Sequence, residues 1–382
     1  MEDEKIAIVG GGISGLCTAI ALQKNGIHAE IYEKEKRVQQ PDTGMILSGN
    51  AIRAFYLMGL GPELLAHGLD ADACQLKSDF GNTIATFDYH APSHIPNYLF
   101  IHRSSLQKIL MDALLPGCLH LEKHLIDFTQ GQVVTLFFKD GTTVDSDYLI
   151  SCDGASSPIR SKLFPESTLT HTGYSCWRGL IEDPPLQVNA YTETWGARGK
   201  FGIAPLTDQQ IFWYAFKKTS DDSSLSTWTP IDLLFNFFYY HDPIQELLEN
   251  TSADQILYDD IYELKPLTPL QSENILFLGD SAHASMPNIG QGASQAAEDA
   301  VYLAKWLSKE ASGLEAFKKY TQHKRERTKQ IKDEMKIYGL ASQVDFPILC
   351  SIRNKLLQMA PASFHNEKLR RIIEIEEDME RM

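Results

Sequence analysis

Lys5-Ile6-Ala7-Ile8-Val9 runs without a break into Gly10-Gly11-Gly12-Ile13-Ser14-Gly15, and the reading of this stretch decides the fold. The first five residues are rich in β-branched side chains and predict a buried strand. The next six are a Gly-x-Gly-x-x-Gly. Apolar residues then recur at Ile13, Leu16, Cys17, Ile20 and Ala21, the stripe of a helix with one buried face, and Gly26 is placed to end it. A second strand, Ala29 to Tyr32, leads to Glu33 and Lys34. Gly10 permits the tight turn, Gly12 lets the backbone approach a pyrophosphate, and Gly15 lets helix and strand pack closely. The helix N-terminus at Ile13 and Ser14 offers unpaired N–H groups to phosphate oxygens, and its dipole adds about 0.3–1 kcal/mol, up to about 2 when partly buried. Glu33 is placed to accept hydrogen bonds from ribose hydroxyls, with Lys34 beside it. Glycine-rich turns also occur in loops that bind nothing, but strand, helix, second strand and acid together mark a dinucleotide site. Which dinucleotide remains open at this point.

At 382 residues the chain exceeds what one hydrophobic core usually fills, so two domains are expected. Its 43% hydrophobic and 22% charged residues are those of a globular protein and exclude a disordered one. A net charge of −15 argues against nucleic acid or an anionic membrane as partner, since both select a basic face. The six cysteines contain no C-x-x-C pair, so reduced thiols in a cytoplasmic protein are expected. No signal-peptide pattern precedes the first strand, and no apolar run reaches about eighteen residues, so no stable membrane insertion is expected. No metal-ligand spacing and no Ser–His–Asp arrangement stands out.

Beyond Glu33, Asn50 to Leu60 predicts a helix closed by glycine, and 75–100 reads as paired strands with a turn at Gly81-Asn82 and a loop around Pro92. A helix follows Ile101-His102-Arg103, with Ser104 or Ser105 as N-cap. Val133 to Val144 forms a hairpin about Asp140-Gly141. Tyr148 to Cys152 is another buried strand, ending in Asp153-Gly154. From 171 to 270 the texture changes to tryptophans 177, 195, 213 and 228, many Tyr and Phe, and strict alternation such as Gln210 to Lys217. This predicts a mainly antiparallel sheet, with one helix over Pro230 to Asn250 packed on it. Asn274 to Leu278 is a further buried strand running into Gly279-Asp280, and a loop through Pro287, Gly290 and Gly292 opens a helix from about Ala293 to Lys309. The remainder is helical in character, and its charge run Lys324-Arg325-Glu326-Arg327 reads as a solvated face.

Three strand-end motifs, at 10–33, 153–160 and 279–292, lie far apart in sequence. Open α/β sheets bind ligands at the carboxyl ends of their strands, so one long ligand can touch all three. Asp280 suits a sugar-alcohol chain, and the N-terminus of the helix beginning near Gly292 and Ala293 suits a reduced, anionic ring. That pattern fits FAD better than a nicotinamide dinucleotide.

These residues resemble the FAD-dependent aromatic-hydroxylase type of flavoprotein monooxygenase. The fingerprints of that family are Gly10 to Gly15; Asp153, Gly154, Ser157 and Arg160; and Gly279, Asp280, Ala282, His283, Pro287, Gly290 and Gly292, with Glu298-Asp299-Ala300 downstream. Gly44-Met45 with Asn50-Ala51 is similar to the segment beside the isoalloxazine, and His102-Arg103 to its flavin-contacting arginine. The stretch Glu193 to Pro205, then Trp213, is similar to the salicylate, hydroxybenzoate and urate hydroxylase branch. Asn288 stands where urate-oxidising members carry Asp, which argues against urate.

The resemblance implies an α/β fold: a Rossmann-like FAD-binding domain (1–74, 101–170 and 271–345), an inserted mainly antiparallel β-sheet substrate domain (75–100 and 171–270) and a C-terminal helical segment (346–382). It implies NADH or NADPH as transient reductant, with no Rossmann domain of its own. Reduced flavin would add O2 at ring carbon C4a, and the hydroperoxide would pass an OH to a small aromatic, heteroaromatic or polycyclic substrate. Lys200, Phe201, Trp213, Met286 and Pro287 are the candidate substrate contacts, and His283 reads as structuring its loop. No catalytic side chain is singled out. A monomer or homodimer is expected. The other readings are an FAD oxidase or reductase without oxygen insertion, and a protein that binds a dinucleotide as a structural element or redox sensor.

Overall fold

The chain enters its central sheet at once. The computed structural model describes residues 4–38, 43–89, 95–219, 225–265, 267–284 and 291–375. Met286, Pro287, Asn288 and Gly290, and the expected loop at Pro92, lie outside the described residues. The strand β1 (Ile6–Val9) is buried on both faces and runs parallel to β2 (Ala29–Tyr32), with α1 (Ile13–Lys24) crossing between them. The helix stops where Gly26 takes φ 72°, the left-handed conformation that glycine adopts without strain.

Next come β3 (Gly44–Ser48), α2 (Gly49–Leu57), α3 (Gly61–His67) and β4 (Leu69–Ala71). The last two escape sequence reading because each is too short to show a period. The hairpin β5 (Cys74–Ser78) and β6 (Thr83–Phe87) turns at Gly81 as expected. The strand β7 (Tyr98–His102) is not part of that pairing. It lies between β3 and β4 in a sheet of its own, because Tyr98, Leu99, Phe100 and Ile101 are all buried and need cover on both faces. The helix α4 (Arg103–Asp112) begins two or three residues earlier than Ser104 or Ser105 predicts: His102 is its extended N-cap and no side chain caps it. The Arg103 N–H is already held by the Thr43 carbonyl at 2.9 Å, so the chain turns straight from strand into helix and leaves both serines inside the first turn.

After β8 (Leu119–His120), three strands β9 (Leu125–Gln130), β10 (Val134–Phe138) and β11 (Thr143–Ser146) form an antiparallel sheet, and β12 (Tyr148–Ser151) returns beside β1 before α5 (Pro158–Leu163). Then come β13 (Leu169–Ile181), β14 (Tyr191–Gly196), β15 (Gly199–Pro205) and β16 (Ile211–Lys218), and beyond them α6 (Pro230–Asn236), α7 (Ile244–Glu249) and β17 (Ile256–Leu264). The expected single helix over Pro230 to Asn250 is thus two helices. Pro243 lacks the N–H a continuing helix requires, and the residue before a proline is pushed out of helical space. The chain closes with β18 (Gln271–Ser272), β19 (Ile275–Phe277), α8 (Asp280–His283), α9 (Gln291–Lys309), α10 (Gly313–Ser342), α11 (Pro347–Met359) and α12 (Ala362–Ile373).

Two large sheets result. One has the order β18-β19-β12-β1-β2-β8 and is parallel apart from β18. The other, β17-β13-β16-β15-β14-β5-β6, is antiparallel except where β14 meets β5. One face of this second sheet packs on β3, β7 and the C-terminal helices; the opposite face packs on α6 and α7.

The charge run on α10 is not a solvated face. Arg325 and Glu326 are exposed, but Lys324 and Arg327, three residues apart and so on one side of the helix, turn inward to α9. Glu298 and Asp299 wait there, each only 1% exposed. Arg327 Nε donates to Glu298 Oε1 at 2.7 Å, and its terminal nitrogens reach the carbonyls of Arg371 (2.8 Å) and Ile372 (2.7 Å) ahead of the end of α12. Lys324 pairs with Asp299.

Removing one partner of a buried ion pair leaves the other charge unpaired, so Arg327→Met is expected to cost about 3–5 kcal/mol in urea unfolding, with Arg325→Met leaving the midpoint unchanged. Burial alone would raise the Glu298 and Asp299 carboxyls, but Arg327 and Lys324 beside the first, and Lys324 and His283 beside the second, hold both below the usual range. Groups whose folded pKa is depressed stabilise the fold above their unfolded value, about pH 4, and lose that contribution as the pH falls further. A stability titration is therefore expected to drop below about pH 4, and less steeply in Arg327→Met.

Candidate functional site

The glycine turn is built by close approach. Gly10 sits at φ 107°, and a Cβ there would lie 2.3 Å from the Cys152 carbonyl oxygen. A Cβ on Gly15 would lie 1.9 Å from the carbonyl oxygen of Gly10. Gly12 is different: a Cβ on it would meet nothing within 4 Å. The space in front of it is open, Gly12 is itself the N-cap of α1, no side chain caps the helix, and no acid stands in its first turn. The amides around Ile13 and Ser14 therefore face a cradle suited to an anion. Glu33 is fixed beside this turn, accepting from the Gly11 N–H at 2.5 Å and from the Glu35 N–H at 2.9 Å, while Lys34 is exposed.

The second motif is largely a brace. Asp153 accepts from Ser151 Oγ (2.5 Å) and Ser157 Oγ (2.8 Å); burial pushes its carboxyl up and these bonds oppose the rise. Ser157 caps α5 by accepting from the Arg160 N–H at 2.9 Å. The Arg160 side chain is buried and turned inward, donating to the carbonyls of Ala155 and, at 2.9 Å, Ser281. It ties the second motif to the third. Gly154, at φ 84°, borders open space.

The third motif closes on the first. Gly279 takes φ 60°, and a Cβ there would lie 2.7 Å from Ser14 Oγ. Asp280 is exposed at the start of α8, while His283 Nε2 is held at 2.7 Å by Asp299 Oδ2. The first turn of α9 carries Gly292, bordering open space, and Ala293. It is anchored to the end of β3, where Gln291 Nε2 donates to Ser48 Oγ (3.0 Å) and the Ser48 N–H donates to Ser294 Oγ (3.1 Å). Gly44 and Met45 begin that same strand.

Gly44 also seats the small β3-β7-β4 sheet against the seven-stranded one, since a Cβ there would lie 2.3 Å from the ring of Phe212 on β16. Arg103 is mostly buried nearby. Its Nε has no hydrogen-bond partner among the described residues, and burial, then the charge of Arg178 on β13, push its pKa down while Asp280 opposes. An open cradle at Gly12, an orphaned buried Arg103 Nε and uncapped helix starts all fit an FAD lying from the glycine turn to Gly44.

The structure thus gathers Gly10 to Gly15, Glu33, Asp153, Gly279, Asp280, Arg103 and Gly44. Phe201 and Trp213 it places elsewhere, which corrects them as candidate substrate contacts. They stack on each other at 5.3 Å in the core under α6 and α7, with Trp213 Nε1 bonded to Thr251 Oγ1 at 2.9 Å. Strand alternation is the reason: Phe212, Tyr214 and Phe216 face the other way. Lys200 is on their side but lies over Phe216, 5.0 Å from the ring centroid, at the far end of β15 from the Gly44 contact. Sequence reading found the alternation of β16 but not its phase, because Ile211 to Phe216 are all buried and hydrophobicity does not tell the two faces apart.

The face so revealed carries a polar chain that sequence reading missed. Tyr214 donates to Glu193 Oε2 at 2.6 Å, and the Tyr191 and Tyr214 hydroxyls lie 3.1 Å apart. Burial, with Glu193 adding, drives both phenols well above their ordinary pKa. Between this face and α10 lies a cavity of ≈ 30 Å³ lined by Tyr191, Glu193, Trp195, Lys200 and Tyr338. Lys200 and Ser342 also line a larger cavity of ≈ 290 Å³.

Comparison with known proteins agrees with this geometry. The model of the FAD binding domain family matches residues 3–335. The chain is 30% identical over 370 residues to the aurachin C monooxygenase/isomerase of Stigmatella aurantiaca, covering 96% of this chain and 97% of that one. It is 26% identical over 367 residues to the 2-heptyl-3-hydroxy-4(1H)-quinolone synthase of Pseudomonas aeruginosa, covering 93% and 94%. The crystal structure of Klebsiella pneumoniae HpxO with FAD and uric acid superposes with a TM-score of 0.86 at 21% identity, covering 98% of each chain.

Asp280→Ala is expected to weaken retention of FAD by one to two decades, because a hydrogen bond to a charged group contributes roughly 1.5–3 kcal/mol. Glu33→Ala is expected to do the same, and Phe201→Leu to leave retention unchanged. Flavin released on dilution, read by fluorescence, measures all three; full occupancy in both acid variants would remove these acids from the site.

Proposed function

The chain belongs to the FAD binding domain family and is an FAD-dependent monooxygenase, and on that premise we propose that it uses NADH or NADPH and O2 to hydroxylate a small heteroaromatic ring bearing an alkyl chain. The observation that carries the reading is the contact of Gly44 with Phe212. It seats the aromatic face of the seven-stranded sheet directly against the place where the three strand-end motifs converge. An apolar wall with a few fixed polar groups is the usual form of a small-molecule site. The two near-full-length relatives support the substrate class by name, one acting on aurachin C and the other making a heptyl-substituted hydroxyquinolone.

In this reading the open turn at Gly10, Gly12 and Gly15, with the Ile13 and Ser14 amides, holds the pyrophosphate. Glu33 and Lys34 hold the adenosine ribose side, and Asp280 the sugar-alcohol chain. Arg103, Gly44, Met45 and the start of α9 at Gly292 and Ala293 border the ring system. Asp153, Gly154, Arg160 and Gly279 keep the strand ends together. Pro287 and Gly290 are assigned to the cofactor, and Met286 to the substrate, from the sequence alone. Bound FAD supplies the redox chemistry: NAD(P)H provides two electrons, one oxygen atom of O2 ends on the ring and the other leaves as water. The protein's share is to orient the ring, to exclude water and to hold the Tyr214 proton toward Glu193.

We keep the expected division of the chain, with 75–100 and 171–270 as the substrate domain; the union of β5 and β6 with β13 to β17 in one sheet supports it. Six buried, unpaired cysteines fit a cytoplasmic location. Among the described residues no helix is long and apolar enough to cross a membrane.

The test is stopped-flow reduction across 2-alkyl-4-quinolones, simple phenols and purines, with products made under isotope-labelled O2. An alkylquinolone is expected to accelerate reduction, since substrate binding shifts the population of a reducible arrangement, and to gain one labelled oxygen. Reduction indifferent to every compound, with all electrons recovered as hydrogen peroxide, would establish the oxidase or reductase reading instead.

A further inference from the structure

Two arginines meet beside the contact of Gly44 with Phe212. Arg103 opens α4 directly after His102, which pairs with Gly44 in register. Arg178 lies on β13, paired in register with Tyr214 of β16, so both side chains leave the same face of the seven-stranded sheet. That face also carries Phe212. Leu180, the register partner of Phe212, is two residues along β13 from Arg178, about 7 Å.

Holding them together is costly. Burial and the charge of Arg178 both work against the Arg103 guanidinium, and Asp280 opposes them. Arg103 also stands in the first turn of α4, where the helix dipole disfavours a cation and no acid offsets it. Arg178 gives its Nη2 to Asp259 of β17, and its Nε, like that of Arg103, is buried with no hydrogen-bond partner among the described residues. Its side chain is still 32% exposed, so it is not sealed from a ligand. Two guanidiniums that repel each other are both stabilised when an acceptor oxygen comes beside them.

The proposed reaction employs one of the two. Arg103 and Asp280 border the cofactor, whereas Arg178 stands on the wall of the seven-stranded sheet, the side left to the substrate. Beside it, Tyr214 commits its proton to Glu193 at 2.6 Å, and Leu180 and Phe212 are apolar. In this part of the wall the N–H groups to be offered are therefore those of Arg178. With Nη2 engaged by Asp259, the guanidinium suits a single acceptor oxygen better than the two-point grip that a carboxylate or phosphate takes.

We propose that Arg178 binds an acceptor oxygen on the substrate ring, a ring carbonyl or its ionised hydroxyl form, and so determines which aromatic compounds the enzyme takes and which edge of the ring is turned to the cofactor. The inference deepens the proposed reaction and rests on it. An alkyl-4-quinolone carries such an oxygen, and an alkylquinoline of the same shape does not. A site that hydrogen-bonds a substrate oxygen rejects the analogue lacking it more strongly than an apolar pocket rejects a small change of shape.

The test measures binding to the FAD-loaded protein, by the change in flavin absorbance, for matched rings with and without the oxygen. The pairs are a 2-alkyl-4-quinolone against the 2-alkylquinoline, and a 4-alkylphenol against the alkylbenzene. The parent is expected to prefer the oxygen-bearing member. Arg178→Met is expected to lose about tenfold to a hundredfold of that preference, by weakening that member alone. Arg178→Lys keeps the charge without the planar fork and is expected to recover part of it. FAD retention and the KM for NAD(P)H are expected to stay as in the parent. If the phenol binds the parent and the quinolone does not, the alkylquinolone reading falls and the phenol pair decides the role of Arg178. A preference in Arg178→Met equal to the parent's would overturn the inference. So would loss of flavin or a raised KM for NAD(P)H, which would assign Arg178 to the cofactor or the reductant. Binding of neither pair to the parent would overturn both readings.

Discussion

The buried acids Glu298 and Asp299 on α9 are the point on which the rest of the structure depends. Glu298 is held by Arg327 of α10 and also accepts from Asn50 of α2 at 2.7 Å. Asp299 is held by Lys324 and His283, and it accepts from the Gly279 N–H at 3.3 Å. Adjacent acids on one helix would repel each other in an apolar interior; here each has its own cation and its own neutral donor. Such pairs contribute more to uniqueness of arrangement than to net stability, since desolvation offsets much of the attraction. Their effect is to fix α9 against α10, α2 and the turn at Gly279.

Arg160 does for the second motif what Arg327 does for the C-terminal helices. Its terminal nitrogens donate to the carbonyls of Ser281 and Ala155, which ties the second motif to the third. Together with the contact of Gly279 on Ser14, it brings three strand ends within reach of one elongated ligand.

The seven-stranded sheet separates two environments. Its α6–α7 side is a plain apolar core containing Phe201 and Trp213. Its other side combines Phe212, Tyr214 and Phe216 with the Tyr191–Tyr214–Glu193 hydrogen-bond chain, and it faces both the cleft and the C-terminal helices. The same helices that close this side leave Ile348, Ile352 and Leu356 of α11 exposed.

The sequence by itself determined the parallel sheet, the glycine turn, the Glu33 acid and the order of the three motifs. Each is a local pattern: strand period, helix stripe and glycine spacing within a few residues. It also determined the family, through residues that lie within those patterns. Tertiary structure alone decided the phase of β16, because a strand buried on both faces gives no hydrophobic signal for which side is which. It decided that Tyr98 to His102 pairs with Gly44 to Ser48, since pairing partners distant in sequence leave no local trace. It decided too that Lys324 and Arg327 are buried, because a charged residue's burial depends on a partner about thirty positions away that helix periodicity cannot name.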